Sequence, residues 1–482
     1  MSIYDSYETV IGLEVHIQLS TQSKAFCADS TQFGAEPNTQ ISAISLGYPG
    51  TLPRLNKKQL EYAIRLGLAI GCRINQHNRF DRKNYFYADL PKGYQITQDQ
   101  APVCIGGSLS FDCEGVQKSI RIHHIHMEED AGKSLHDLDP QYSFIDLNRA
   151  GVPLLEVVTE PDFRSAAEVD AFMNAMRRLV RYLDISDGNM EEGSMRCDCN
   201  ISVRPKGQST YGERCEVKNL NSMRFARRAI SYERKRQIDL IEKGGQVEQQ
   251  TLNFNPQTGV TTPLRDKEDA HDYRYFPDPD LPPVVVSDAE IEAIRSSLPQ
   301  LPKAHYQKFT QSYQLSDYDA RLLVEERSIA EYFEALCQKS KRYKAIANLL
   351  INKIIPYLQE SQIGIGDYPI APKGLLAFIE LIASGQVSSA IAYQRILPAL
   401  QKAPSKTAHQ VAQALNLLQT NDESFLKDLV DEVLAAFPDK VAVYKKGKKG
   451  LLGFFMGEVM KRSKGKANPG MSKKLLTQKL EA

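Results

Sequence analysis

The sequence predicts an α+β protein in which a strand-rich first part gives way to helices. Three observations point there. Tyr7–Leu19 and Ser194–Arg204 alternate apolar and polar residues with the period of two expected of half-buried strands. Asp272–Pro283, DYRYFPDPDLPP, is too rich in proline to be regular throughout, and it ends that texture. From Ser287 onward, apolar residues recur at helical spacing instead.

The elements follow in order. In Tyr7–Leu19, Leu13, Val15, Ile17 and Leu19 share one face, and Glu14, His16 and Gln18 share the other. The apolar alternation around His123–Asp130 changes phase between Ile122 and Ile125, which predicts a bulge. Ser165 and Glu168 make a capping-box signature ahead of a helical stripe from Val169 to Leu183. In Ser194–Arg204 the apolar face carries Met195, Cys197, Cys199, Ile201 and Val203, and the opposite face Arg196, Asp198, Asn200 and Arg204. A second helix is expected from about Ser222 to Lys243, stopped by Gly244-Gly245. Ser287 and Glu290 repeat the capping signature. Stripes over Ala320–Leu336, Arg342–Leu358, Gly374–Ile382 and Val387–Leu400 then form a helical region. The polar stretch Gln401–Lys406 sets off a third unit, with helices over Ala408–Leu418, Phe425–Ala436 and Leu451–Val459. The expected division is 1–290, 291–405 and 406–482, in keeping with a prior of about three domains for 482 residues.

Composition narrows the class. Hydrophobic residues are 42% and charged residues 25%, enough to bury more than one core. Eight cysteines are too sparse for a disulfide scaffold in a chain of this length, and they suit a reducing compartment such as the cytoplasm. Met1–Gly12 shows no secretory pattern, and no apolar run approaches a membrane span. The formal net charge is +1, but Lys440–Ala482 holds eleven Lys and one Arg against two Glu. Such a basic end on a mildly acidic body fits either a polyanion-facing tail or a solvated helical face.

Several constellations have chemical potential. Glu14 and His16, side by side on one strand face, can share a divalent cation. The run His123–Asp130 and the carboxylates Glu156 and Glu160 beside Leu154–Val158 add oxygen donors that suit Mg²⁺ better than zinc. Salt-bridged polar residues at sheet ends are the alternative. Cys197, Cys199 and Cys215 lack zinc-finger spacing and are expected to be buried as small hydrophobes. Gly132-Lys133-Ser134 and Gly188–Gly193 imitate parts of a phosphate loop without completing one. The loop Phe80–Gln95 offers Arg82, Lys83 and Lys92 among Tyr85, Tyr87 and Tyr94, a set able to bind phosphate or simply to pack.

Long strings of the sequence are distinctive. ETVIGLEVHIQL (Glu8–Leu19), FGAEPNT (Phe33–Thr39), DRKNYFYADLPKGYQI (Asp81–Ile96), HMEEDAGK (His126–Lys133), IDLNRAGVPLLEVVTEPD (Ile145–Asp162), GNMEEGSMRCDCNISVRP (Gly188–Pro205), DYRYFPDPDLPP and FFMGEVMKRSKGKANP (Phe454–Pro469) resemble the B-subunit family of the tRNA-dependent glutamyl/aspartyl-tRNA amidotransferases. The resemblance runs in order along essentially the whole chain.

It implies a cradle-shaped catalytic domain of mixed sheet, then an all-α helical domain and a small helical tail. It implies an ATP-dependent ligase that phosphorylates the side-chain carboxylate of mischarged Glu-tRNA(Gln) or Asp-tRNA(Asn) and amidates it with ammonia. The ammonia comes from an amidase-type glutaminase, the A subunit, in a heterotrimer completed by a small C subunit. Glu14, His16 and Glu129 are implied as Mg²⁺ ligands, and Lys83 and Lys92 as catalytic or phosphate-contacting residues. Arg196 and Asp198 join Lys83 and Lys92 as cofactor-binding candidates of a second tier, and Glu128 falls in the same motifs without an assigned role. The two other classes weighed are a tRNA-binding scaffold without chemistry, disfavoured because Glu14, His16 and Glu129 stand in their motifs, and an independent synthetase, which lacks a class-defining motif here.

One departure concerns zinc. Many members of that family carry a four-cysteine site near FGAEPNT, whereas here only Cys27 is present and Asp29, Ser42 and Ser45 take the other places. One thiolate cannot build a tetrahedral site. Metal analysis of the purified protein is therefore expected to find no stoichiometric zinc. One zinc per chain retained through dialysis would contradict this.

Overall fold

A computed structural model describes all residues except Met1, Asp137, Pro140, 265–272, 420–422, Lys464, Gly465 and Ala482, and the side chain of Asn219. Asp272 of the proline-rich segment and Lys464 of the tail thus lie outside the described residues. The chain divides into two units, Met1–Ala304 and His305–Ala482.

Among the described residues, the first unit is built on a ten-stranded mixed sheet. Five adjoining strands form its middle: β1 (Tyr7–Gln18), β2 (Val116–Glu129), β3 (Pro153–Thr159), β4 (Met195–Pro205) and β5 (Cys215–Leu220). β1 is central, antiparallel to β3 on one side and to β4 on the other. β2 extends the sheet beyond β3, and β5 extends it beyond β4. Cys215–Leu220 also pairs in parallel with Gln250–Phe254, which makes the sheet mixed. The phase change expected near Ile122–Ile125 is present. The β2–β3 register shifts between Val158 and Thr159, opposite His124 and Ile122.

Period-two alternation gives this sheet one apolar face. Leu13, Val15 and Ile17 of β1, Leu155 and Val157 of β3, Ile125 and Met127 of β2 and Met195, Cys197, Cys199 and Ile201 of β4 are all buried in one core. The cysteines Cys197, Cys199 and Cys215 lie in that core, as their apolar-face positions predict. Three helices belong to it: α1 (Lys57–Ala69), α2 (Ala166–Tyr182) and α3 (Met223–Glu242). α1 packs on β2, α3 on β4, and α2 on α3 and the Ser108–Cys113 strand. Phe172 of α2 sits edge-on to Phe111 and Phe163, with centroids 5.8 and 5.1 Å apart, a favoured aromatic geometry.

The caps differ in detail from their signatures. Ser165 accepts from Glu168 N at 3.2 Å, but the Glu168 carboxylate takes Arg164 N at 2.6 Å, so the box closes one residue early. Ser222 caps α3, and Gly244 follows with φ +79°, a left-handed turn that glycine adopts at no steric cost. Ser287 and Glu290 form the full reciprocal box.

The proline-rich segment does a specific job. Phe276–Pro277 pairs with Asp81–Arg82, and Val284–Val285 with His77–Asn78. Arg82 bonds Asp278 and Asp280 at 2.9 and 2.8 Å, so the segment clamps the strand Asp81–Asn84 that carries Lys83.

The second unit is helical. The stripe over Ala320–Leu336 resolves into Asp317–Leu323 and Arg327–Cys337, because four consecutive polar residues, Glu325–Ser328, leave nothing apolar to carry it across a turn. Arg342–Leu358 and Val387–Leu400 are rods with π-helical turns at Leu350–Ile354 and Ala392–Ile396. Each wide turn runs up to a proline, Pro356 or Pro398, which has no N–H to close the ordinary bond four residues back. Ala408–Ala414 packs on Pro372–Ala383 and Leu397–Lys402. The last helices, Glu423–Ala436, Pro438–Lys445, Leu452–Arg462 and Pro469–Glu481, enclose a separate apolar cluster around Leu426, Val430, Phe455, Val459 and Leu476. No helix among the described residues is long and apolar enough to cross a membrane.

Candidate active site

The face of the sheet opposite the core is polar across five strands. Pairing fixes the rows: His16 of β1 lies opposite Glu156 of β3, and Glu156 lies opposite His126 of β2. On the other side His16 faces Arg196, and Glu14 faces Asp198, both of β4. Glu128 follows His126 on the same face of β2, and Glu216 and Lys218 of β5 continue the surface beyond β4.

Two clusters result. His16 Nε2 lies 3.2 Å from Glu156 and 3.6 Å from Glu128. His126 Nε2 contacts the same two carboxylates at 3.4 and 3.6 Å. Beside this, Glu14, Asp198 and Glu216 bring their oxygens within 4.8 Å of one another, as do His16, Glu128 and Glu156 with their donor atoms. Lys218 reaches Glu216 at 2.8 Å and Asp198 at 3.6 Å, and Asn200 donates to Glu14 at 3.0 Å.

The electrostatics follow from this crowding. Burial, then the charges of Glu156 and Glu216, push the Glu14 carboxyl above its ordinary range. Burial opposes charge on Glu156 too, but the imidazoles of His126 and His16 hold its carboxyl well below that range. Burial likewise disfavours the His126 imidazolium, yet Glu156 and Glu128 raise it to about 10. His16 is raised for the same reasons. His124, with burial and two imidazole neighbours against it, falls to about 4.

The cations surround this surface. Lys83 is desolvated, but Glu128, Tyr275 and Glu156 raise its pKa, and its ammonium lies 4.8 Å from the Tyr273 ring centre. Arg196 donates to Asp130 at 2.8 Å, while Gln18 reaches the same carboxylate at 2.7 Å. Burial opposes the Asp130 charge, and Arg196 and Arg149 outweigh it, holding the carboxyl down to about 2. A cavity of about 770 Å³ opens here, lined among others by Gln18, Lys133, Arg149 and Arg196.

The structure thus joins some of the expected residues and separates others. Glu14 and His16 share a face but enter different clusters, Glu14 with Asp198 and His16 with Glu128 and Glu156. Glu129 is not among them. Its carboxylate is paired with Lys92 and accepts Ile96 N at 2.9 Å. Lys92 lies against the Phe26 and Tyr94 rings. Glu128 is a full member of the His16 cluster. Sequence pattern places Asp130 only within the donor run His123–Asp130 and assigns no role to Glu216 or Lys218. The alternation of Cys215–Leu220, with Cys215 and Val217 apolar and Glu216 and Lys218 polar, is the signal that could have found the last two.

Other motifs resolve plainly. Gly132-Lys133-Ser134 leads into the Lys133–Leu135 strand rather than a helix, and Gly132 N is bonded to Asp89 O. Asp29 and Ser45, at two of the expected cysteine places, are hydrogen-bonded at 2.6 Å, and Ser42 N donates to Ser45 Oγ at 2.9 Å.

Comparison with known proteins identifies the class. The family described as the GatB/GatE catalytic domain matches residues 9–292, and the one described as the GatB domain matches residues 331–480. The chain belongs to the GatB/GatE family, as its motifs imply. Its relatives are specific: proteins of Geotalea uraniireducens, Geobacter sulfurreducens and Thermodesulfovibrio yellowstonii, each named as the B subunit of an aspartyl/glutamyl-tRNA(Asn/Gln) amidotransferase, are 49, 48 and 47% identical to it. The alignments cover 98–99% of this chain and 98–100% of those proteins.

The Asp130–Arg196 pair generates a prediction. A carboxyl held near 2 in the folded state, against about 3.9 unfolded, stabilises the protein above pH 4, and that contribution is lost as pH falls toward 2. Asp130→Asn leaves Arg196 without its buried partner and is expected to cost roughly 3–5 kcal/mol at neutral pH. Urea unfolding of parent and variant should show this gap narrowing below pH 4; a gap independent of pH would refute the assignment.

Proposed function

We propose that the chain binds tRNA mischarged with Glu or Asp, phosphorylates the side-chain carboxylate with ATP, and amidates it with ammonia from a glutaminase partner. A free carboxylate does not yield to ammonia because hydroxide is a poor leaving group. Transfer of the γ-phosphoryl to a carboxylate oxygen releases ADP; attack by ammonia on the carbonyl carbon then expels phosphate. The observation that carries the reading is the carboxylate–imidazole face at the sheet centre, in a chain that aligns end to end with proteins named for this reaction.

The donor set fits Mg²⁺. Carboxylate oxygens dominate it, as a hard cation prefers. Besides burial, the like charges of Glu156 and Glu216 push Glu14 upward and would be relieved by a cation, and the buried His16 Nδ1 has no hydrogen-bond partner among the described residues. His16, Glu128 and Glu156 are the first holding set, and Glu14, Asp198 and Glu216 the second. When bound, the ion neutralises phosphate charge. Lys83, beside Glu128 and Glu156, is suited to a phosphate oxygen. Arg196, oriented by Asp130, presents its guanidinium to an anion at the neighbouring cavity. Lys92 and Glu129 hold each other, and their proposed task is to pass protons or ammonia between that pair and the reacting centre.

The rest of the proposal is organisational. The chain works in the cytoplasm with an amidase-type A subunit and a small C subunit. The division 1–290, 291–405 and 406–482 separates chemistry, helical support and tRNA contact. The tail supports this: Lys445, Lys446, Lys448, Lys461 and Lys466 are exposed. Lys449 pairs with Glu481, Arg462 with Glu432 and Lys479 with Asp431, all on the surface, where such pairs are worth about 0–1 kcal/mol and yield readily to phosphate.

Two experiments on the assembled complex test this. Glu14→Gln and His16→Ala are expected to abolish ATP-dependent activation of aminoacyl-tRNA while leaving tRNA binding intact. Either variant amidating at the parent rate under limiting Mg²⁺ would defeat the ligand assignment. Replacing Lys445, Lys446 and Lys448 by Ala should raise KM for aminoacyl-tRNA and flatten the salt dependence of binding, by a slope of roughly 0.7–0.9 for each phosphate no longer neutralised. An unchanged slope would leave the tail as a solvated face.

A further inference from the structure

β2 ends in Met127-Glu128-Glu129, and the backbone there is held unusually. β3 runs along one edge, from Thr159 to Pro153. On the other edge, Cys104–Ile105 meets β2 at Ile125 and His124. Beyond Ile125 no described strand continues the sheet on that side. The residues are nevertheless buried, with Met127 at 0% and Glu128 and Glu129 at 3% exposure. An unmade backbone hydrogen bond in such a place costs about 1–3 kcal/mol.

Two glutamines of one segment, Gln95 in the Tyr94–Thr97 strand and Gln98 just after it, take the strand's place at Glu129 and Met127, while Gln59 of α1 ties Glu128 on the β3 side, where Glu128 pairs with Leu154. Gln98 Oε1 accepts from Met127 N at 3.1 Å. Gln59 Nε2, from α1, donates to Glu128 O at 2.8 Å and to Leu154 O at 3.3 Å. Gln95 Nε2 donates to Glu129 O at 2.7 Å. Their exposures are 0% for Gln59, 7% for Gln95 and 2% for Gln98. Gln98 is itself fixed, accepting Val103 N at 3.2 Å and donating to Asn78 Oδ1 at 2.9 Å. Burying a flexible polar side chain costs both desolvation and rotamer entropy, and the fold does so three times along three consecutive residues.

Those residues carry the two carboxylates that diverge here, Glu128 to the His16 cluster and Glu129 to Lys92. We propose that Gln59, Gln95 and Gln98 are positioning residues, a clamp on the β2 backbone that sets where the Glu128 and Glu129 carboxylates stand. A strand would supply the hydrogen bonds that Gln95 and Gln98 make but would cover the edge by which the Tyr94–Thr97 strand approaches. Glutamine side chains satisfy the backbone while leaving that approach open, so Ile96 N reaches Glu129 directly. The inference rests on the proposed cation site for Glu128, and on the Lys92 pair for Glu129.

The test uses Gln59→Met, Gln95→Met and Gln98→Met, which keep side-chain length and remove the hydrogen bonds, with Gln98→Glu, which restores the acceptor for Met127 N. Mn²⁺ binding to the full chain, followed by electron paramagnetic resonance, is expected to weaken about 10-fold or more in the Gln59 and Gln98 Met variants, the range seen when groups supporting a metal ligand are removed. In the assembled complex, kcat for ammonia-dependent amidation should fall in all three while KM for aminoacyl-tRNA stays unchanged, and Gln98→Glu should recover most of both losses. Parent-like Mn²⁺ affinity and kcat in the Met variants would overturn the clamp. So would losses that follow thermal stability alone and are not recovered by Gln98→Glu. A parent chain that binds no Mn²⁺ defeats the cation reading instead, and the kcat-against-KM split then decides the clamp by itself.

Discussion

Everything in the first unit depends on β1 being paired on both sides in one register. Because successive side chains point to opposite faces, the pairing of Leu13 with Cys199 and of His16 with Glu156 settles which residues enter the core and which meet the site. A slip of one residue would drive Glu14 and His16 into the packed face against the helices and turn Val15 and Ile17 outward. The large apolar core is therefore what holds a costly polar surface in place. Hydrophobic burial on one side of the sheet supplies the stability that concentrated carboxylates on the other side consume.

That polar surface is kept tolerable by alternation of sign. Glu156 sits between two imidazoles, Asp130 among Arg196, Arg149 and Gln18, and Glu129 beside Lys92. Glu156 and Asp130, despite burial, are held below the ordinary carboxylate range by those partners. Glu14 is the member whose carboxyl is pushed upward, by burial first and then by the neighbouring carboxylates Glu156 and Glu216, against its partners Asn200 and Lys218. Sites that must receive a charged ligand commonly carry such imbalance, since the ligand completes the compensation. The aromatic-rich loop above them is held by a different logic. Arg82 ties it to Asp278 and Asp280 of a segment nearly two hundred positions later, so a proline-dense stretch that cannot form a helix or a long strand serves as a brace for Lys83.

The sequence by itself determined the fold class, the change from strand to helix near residue 285, the partition of β1 and β4 into two faces, the bulge in β2 and the family. These are local properties. Period-two and period-3.6 patterns, caps and proline density are written in neighbouring residues, and long motifs carry kinship directly. Tertiary structure decided what local pattern cannot express. Strand order put Glu156 and Glu128, rather than Glu129, beside His16, because two adjacent residues on a strand must point to opposite faces and the sequence does not say which of them meets a strand over a hundred positions away. Pairing with β5 likewise added Glu216 to Glu14 and Asp198, and the end of β2, open on one edge and tied to β3 on the other, gave Gln59, Gln95 and Gln98 a shared purpose invisible in their spacing. The stripe over Ala320–Leu336 broke in two for the complementary reason: helical periodicity survives a turn on paper, but four successive polar residues leave the core nothing to hold.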